Sequence, residues 1–240
     1  SIFAAERVFS STQAMVMGPV PPGIGVMAPA TACTASKSTS PTIPDSLRET
    51  PTSITAAPGL TCSAVIMRAD PAAEAFAISS MGRRALDIPE YVDLDLFIDE
   101  MLVAESAPPL VFDASLCTAA RRHSRYMIAH GQGHEEDPAL EHYTGRRYSD
   151  RMQAAGFDAY LSGENVFIAA LNPHQAHAAF VIDWGVEGDP GGMQPGRGHR
   201  VNLLSPRFRR VGIGAVDWHE EAFERDLVSV TQDYGTSRLG

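Results

Sequence analysis

The chain is predicted to be an α+β protein in which helices gather around a small, mostly antiparallel sheet. Three observations lead there. From Asp113 onward, Leu116, Ala119, Ala120, His123 and Met127 recur on one helical face. Three short stretches, 165–169, 211–216 and 227–232, carry β-branched or alternating apolar residues and read as strands. The last two are separated by the polar stretch 217–226, which suits a hairpin connection.

The elements follow in order. Residues 1 to about 60 are rich in Ala, Ser, Thr and Pro and keep no sustained period of 3.6 or 2. Such a segment buries too little apolar surface to offset chain entropy, so residues 1–64 are expected to be a disordered leader or linker and residues 65–240 the folded domain. Order is expected to begin at Asp70-Pro71, a helix N-cap followed by Pro at the first helical position, with Ala72, Ala73, Ala75, Phe76 and Ile78 behind it. Leu94, Phe97, Ile98, Met101 and Leu102 form the apolar side of a second helix, opposite Asp93, Asp95, Asp99 and Glu100, and Pro108-Pro109 stops it. The third starts at Asp113 and ends at Gly131; a shorter one carries Tyr148, Met152 and Ala155 up to Gly156. A fifth starts at Asn172 as cap with Pro173 inside and runs to Trp184-Gly185.

Composition narrows the function. With 44% hydrophobic residues the chain has enough apolar material for a real core. The net charge is −10, and because Glu6, Asp45 and Glu49 balance Arg7, Lys37 and Arg48, the excess acid falls in residues 65–240. An acidic domain repels a nucleic acid backbone, so no nucleic acid partner is expected. The uncharged stretch between Ser10 and Ser36 is broken by Pro19, Pro21, Pro22 and Pro29, so no transmembrane segment is expected; a span needs about 20 apolar residues. Three cysteines, Cys33, Cys62 and Cys117, do not make a disulfide framework, and Cys117 falls on an apolar helix face as a small buried thiol.

The most informative residues come in a fixed order. Gly133-His134 follows a helix, Gly163-Glu164-Asn165 opens a strand, and His199-Arg-x-Asn202 precedes Val211-Gly-Ile-Gly214, with Val230-Thr-Gln-Asp-Tyr-Gly235 closing the pattern. His134 and Glu164 are 30 residues apart and His199 is 35 further on, so any meeting of these groups is made by the fold, not by one helix turn. Over roughly residues 65 to 235 the chain resembles the CAP superfamily, the cysteine-rich secretory, antigen 5 and pathogenesis-related 1 type of SCP-like domain. The resemblance implies an α-β-α sandwich whose cleft is lined by two histidines and two acidic residues. Here those are His134, Glu164, His199 and, because an acid three residues after a Trp marks the fuller family pattern, Glu187 of Trp184-Gly-Val-Glu187; Asp183 and Asp189 stand as neighbouring alternatives. In some members the histidines bind a divalent metal, usually zinc, which here designates His134 and His199. Two neutral imidazoles plus water or a carboxylate suit a tetrahedral zinc shell.

What the resemblance implies about function is a secreted or cell-envelope domain whose His/Glu cleft binds a metal and a small ligand, lipid or protein partner. Two further readings stand beside it. One is a metal-assisted hydrolase with Glu164 as general base. The other is a lipid or sterol binder. Fold similarity alone does not choose among them.

Other candidates are weaker. A His-Glu-x-x-His protease helix is excluded, since position 138 is Pro. His142 is an alternative to His134 in the cleft. His123, on an apolar face, reads as a satisfied core histidine, and His174 and His177, at a helix start, read as solvent-facing. Arg197, Arg200, Arg207, Arg209 and Arg210 are the one local basic density, read as a solvated loop in which Arg200 makes structural hydrogen bonds; Asn202 reads as a tie between loop backbones. The stretch from Gly191 to Gly198 lacks the Lys-Ser/Thr of a phosphate loop and reads as a flexible rim before His199. Ser162, Ser205 and Ser229 have no nucleophile-elbow context.

Overall fold

The structure, a computed structural model, describes residues 53–56, 60–63, 66–67, 70–221 and 224–238, with side chains from residue 70 onward. The expected Ala/Ser/Thr/Pro-rich leader falls outside the described residues as far as residue 52. Strands β1 (Ser53–Ala56) and β2 (Leu60–Ser63) pair antiparallel, and β3 (Ile66–Met67) pairs with β4 (Leu110–Phe112).

The capping chemistry read from the sequence sets the helix starts. In α1 (Pro71–Met81) the Asp70 side chain accepts the N–H groups of Ala72 and Ala73, with Pro71 in the first turn. In α2 (Leu94–Leu102) Asp93 accepts Leu96 N–H, and in α3 (Ala114–His130) Asp113 accepts those of Ser115 and Leu116. Gly131, at φ 96°, ends α3. After α4 (Tyr148–Ala154), Asn172 caps α5 (Pro173–Ile182) through Gln175 N–H.

The strands are longer than alternation alone indicates. β5 spans Ala159–Ala170, β6 Arg210–Glu220 and β7 Arg225–Ser237, so most of the polar stretch 217–226 is ladder. Exposed cross-strand pairs such as His219 with Asp226, at 2.8 Å, replace the apolar alternation that would have marked it. The main sheet runs β3-β4-β6-β7-β5; only the short β4–β6 pairing is parallel, so the sheet is mixed and mostly antiparallel, and β5 is an edge.

Helices cover both faces of this sheet. α3 packs on β6 and β7, with α4 against α3 and β5. Its approach to β6 is set by the glycines of Val211-Gly-Ile-Gly214: a Cβ on Gly212 would lie 2.1 Å from the Leu116 carbonyl carbon, and one on Gly214 2.2 Å from the Arg121 nitrogen. Two glycines spaced by two on one strand face let the helix backbone lie on the sheet. On the other face α5 and the short helix α6 (Gly198–Leu203) pack on each other and on β5. α5 is buried from Gln175 to Ile182, in agreement with its lack of a polar side. The result is the expected α+β sandwich.

Candidate functional site

β5 carries Glu164 and Asn165 in adjacent positions, which point to opposite faces of the sheet. Glu164 turns toward α3 and α4, Asn165 toward α5 and α6. Each holds one of the two histidines picked out from the sequence.

On the first face, Nδ1 of His134 lies 2.8 Å from Glu164 Oε1, and Arg151 of α4 donates to Glu164 Oε2 at 2.5 Å. Arg151 also donates to the His134 carbonyl at 3.0 Å, so one guanidinium fixes the histidine's backbone and the carboxylate that grips its ring. Behind them His123 sets Nδ1 2.9 Å from Glu136 Oε1 and Nε2 2.8 Å from the Gly133 carbonyl, with Nε2 3.9 Å from Glu164 Oε1. Glu136 further accepts the Thr144 N–H at 2.6 Å and the Gly145 N–H at 3.3 Å. The cluster is fully buried except at His134, whose side chain keeps 25% exposure.

Asn165, on the other face, donates to the His199 carbonyl at 3.3 Å and accepts the Asn202 amide at 2.8 Å; Asn202 also donates to the Glu164 carbonyl at 3.3 Å. The expected role of Asn202 as a backbone tie is therefore what the structure shows. His199 opens α6. Asp183, the C-cap of α5 in the left-handed region at φ 59°, points its carboxylate at His199: Oδ1 is 2.5 Å from the ring Nδ1 and Oδ2 accepts the backbone N–H at 3.0 Å. Phe180 packs on the imidazole with ring centroids 5.2 Å apart, and only 5% of the His199 side chain remains exposed.

The flanking arginines hold this arrangement. Arg200 donates to the Val181 and Ile182 carbonyls at 2.7 and 2.6 Å and to Glu100 of α2 at 2.5 Å, with its guanidinium 5.3 Å from the Phe97 ring centroid. Arg197 meets the same carboxylate at 2.8 and 3.1 Å. Glu100 thus bridges the residues on either side of His199. The stretch before it is not a loose rim. Gly191 accepts the Asp93 N–H at 2.9 Å, Trp184 and Met193 form a bridge, and Gly192, at φ 66°, sits so close to Tyr91 that a Cβ would meet its carbonyl oxygen at 2.4 Å.

Electrostatics follow from burial and pairing. Burial by itself would raise the Glu164 pKa, but the charges of His123 and Arg151 and the hydrogen bond from His134 outweigh it and bring the carboxyl down to about 2. Glu136 is also lowered: burial is opposed by the His123 hydrogen bond, the Thr144 N–H and the Arg151 charge. Asp233, opposite Glu164 on β7, is raised well above the ordinary range by burial and by the neighbouring Glu164 charge.

Of the four expected cleft residues, His134 and Glu164 are in direct contact, while His199 pairs with Asp183 on the other face of β5. Glu187 stands exposed with no hydrogen bond to either imidazole, and Asp183, one of its neighbouring alternatives, holds His199 instead. The loop after α5 carries Glu187 outward, while the left-handed cap turns Asp183 inward. His142 is exposed at φ 65°, and it is His134 that contacts Glu164. His177 corrects the reading of solvent-facing histidines: it is buried, with Nε2 2.6 Å from Glu74 of α1, because that face of α5 is covered; His174 is exposed. His123 is the satisfied core histidine expected, and it also belongs to the cluster. Arg151, Glu136 and Asp233 were not singled out. A signal existed for Arg151, which sits between Tyr148 and Ala155 at helical spacing and so on the apolar side of α4. Asp233 is marked by Thr231-Gln-Asp, polar residues running through a strand whose Leu227–Gly235 stretch is buried on both faces.

The residues offer a divalent ion little beyond two imidazoles. Both carboxylates are spent on histidines, and among the described residues no three His, Cys, Asp or Glu side chains gather to hold a metal. What remains is Nε2 of each ring. An anionic carboxylate accepts only, so Nδ1 is the protonated nitrogen in both and Nε2 carries the lone pair, the orientation found for metal-ligating histidines.

The sequence pattern of the cysteine-rich secretory protein family, CAP, matches residues 104–234, more than half of the chain. The chain belongs to this family. A solved structure, that of an extracellular protein containing a SCP domain from Bacillus anthracis str. Ames, is similar at 24% identity and a TM-score of 0.37, covering 55% of this chain and 35% of that chain. No curated protein matches. Among the described residues no helix is long and apolar enough to cross a membrane.

Proposed function

We propose that this CAP domain is a binding module of the cell envelope or extracellular space, in which His134 and His199, held on opposite faces of the edge strand β5, reach past that edge to present Nε2 lone pairs to a divalent ion such as zinc and thereby to a small ligand or partner. The observation that carries it is the pairing of each imidazole, through Nδ1, with its own buried carboxylate, His134 with Glu164 and His199 with Asp183. With water completing the coordination, two nitrogens make a weak site that loosens as pH falls and the rings protonate. His134 is the accessible member and the point of entry. Calorimetric titration of the intact chain with zinc tests this: micromolar binding is expected, lost in both His134→Ala and His199→Ala. Equal binding by the variants removes the metal from the reading.

Catalysis suits the geometry less well. A general base needs a pKa near the working pH, whereas the charges and hydrogen bonds around Glu164 hold its pKa at about 2. Glu164 is better matched to orienting His134 than to taking a proton from water. A peptidase or esterase activity that falls by orders of magnitude in Glu164→Gln, with folding retained, would restore the hydrolase. A lipid or sterol role predicts a hydrophobic molecule co-purifying with the chain, and extraction followed by mass spectrometry tests it.

A further inference from the structure

Asp233 is the one buried acid of the cluster that no donor serves. Its register partners are Glu164 on β5 and Gly212 on β6, its side chain is fully buried, and among the described residues no N–H or O–H reaches either Oδ1 or Oδ2. Ionised, it would be an acceptor on both oxygens with nothing to accept, and a buried charge without hydrogen bonds is strongly unfavourable. Two acids, Glu136 and Glu164, already stand in the same cluster. The groups facing the site are His123 from α3, Glu136 from the following loop, Arg151 from α4 and Glu164 from β5. Arg151 is the fixed cation among them and Glu136 and Glu164 are both acids, so an ionised Asp233 would add a further buried negative charge. Glu164 still has an acceptor position to offer, since each of its oxygens has two lone pairs and makes one of the hydrogen bonds above.

We propose that Asp233 is a neutral carboxylic acid at physiological pH whose O–H donates to Glu164, so that the two carboxyls share one proton and Asp233 acts as a positioning residue for the carboxylate that holds His134. Glu164 then receives three donors, from His134, Arg151 and Asp233, and stays the anion of the pair. The raised Asp233 pKa and the depressed one of Glu164 agree with this division. The proposal does not depend on what the cleft binds.

The test is Asp233→Asn, which keeps shape and a donor but removes the ability to ionise. A carboxyl that keeps its proton in the folded state binds more protons than the unfolded chain above about pH 4, so wild-type stability from this group declines as pH rises. The asparagine variant escapes that decline. Its Tm is expected to move upward relative to wild type between about pH 5 and pH 8. A variant that instead loses ground as pH rises would mean that Asp233 works as an anion, and overturns the proposal. If the variant does not fold, carbon NMR of the wild-type chain labelled in its aspartate carboxyls decides: one aspartate must keep the chemical shift of a protonated acid at neutral pH, and a spectrum with every aspartate ionised overturns the proposal equally.

Discussion

Asp183 holds His199 twice, with Oδ1 2.5 Å from the ring Nδ1 and Oδ2 accepting the backbone N–H of the same residue at 3.0 Å. Ring tautomer and helix start are thereby set by one side chain, itself placed by the left-handed turn that ends α5. Asp183→Asn preserves the turn, which Asn tolerates, and one acceptor, but removes the anion opposite the ring. A loss of about 1–3 kcal/mol in urea unfolding is expected, and zinc affinity, if zinc binds, falls by about 10–100-fold. Glu187→Gln, on the exposed loop, changes neither.

Arg151 is buried between Glu164 and Glu136, and its guanidinium also binds the His134 carbonyl. Arg151→Met fills similar space but strands two buried carboxylates. Removing one partner of a buried ion pair costs about 3–5 kcal/mol, and a loss of that size in denaturant unfolding is expected, together with exposure of the His134 loop to proteolysis. A variant as stable as wild type would show that the cluster is not held by this charge.

The depressed pKa of Glu164 makes the fold acid-sensitive in a defined window. Its contribution is fully present above the unfolded carboxyl value of about 4.3 and is lost as pH falls toward the folded value of about 2. Glu136 acts in the same direction. Glu164→Gln is expected to be less stable than wild type at neutral pH and to lose less on acidification, which circular dichroism at fixed urea would follow. Parallel pH profiles for the two proteins contradict the assignment.

Gly214→Ala is expected to destabilise by about 3 kcal/mol, because the new Cβ meets α3 backbone, which has no side-chain end to move aside. Thermal unfolding reads this directly. An unchanged Tm would mean that helix and sheet are further apart than the close approach of Gly212 and Gly214 indicates.

Helix starts were legible in the sequence because Asp70, Asp93, Asp113 and Asn172 act locally, each accepting an N–H two or three residues on. Strand lengths were less so. Asp217, His219, Arg225 and Asp226 are exposed and polar, and their pairing depends on a neighbouring strand that a local pattern does not contain. The same limit applies to the site. His134, Glu164 and His199 stand in short motifs, but Asp183 and Glu187 flank the same Trp and differ only in the direction the chain turns after α5. Asp233 and Arg151 became visible as partners only once β7 and α4 were set beside Glu164.

Glu100 lies on α2, ahead of residue 104 where the family match begins, yet it grips Arg197 and Arg200 on either side of His199. The helical segment before the matched region is therefore structural support for the second histidine and not an appendage. A recombinant fragment that starts at residue 104 would retain every motif residue and lose the anchor beneath one of them, so functional assays belong on a chain that starts no later than Asp70.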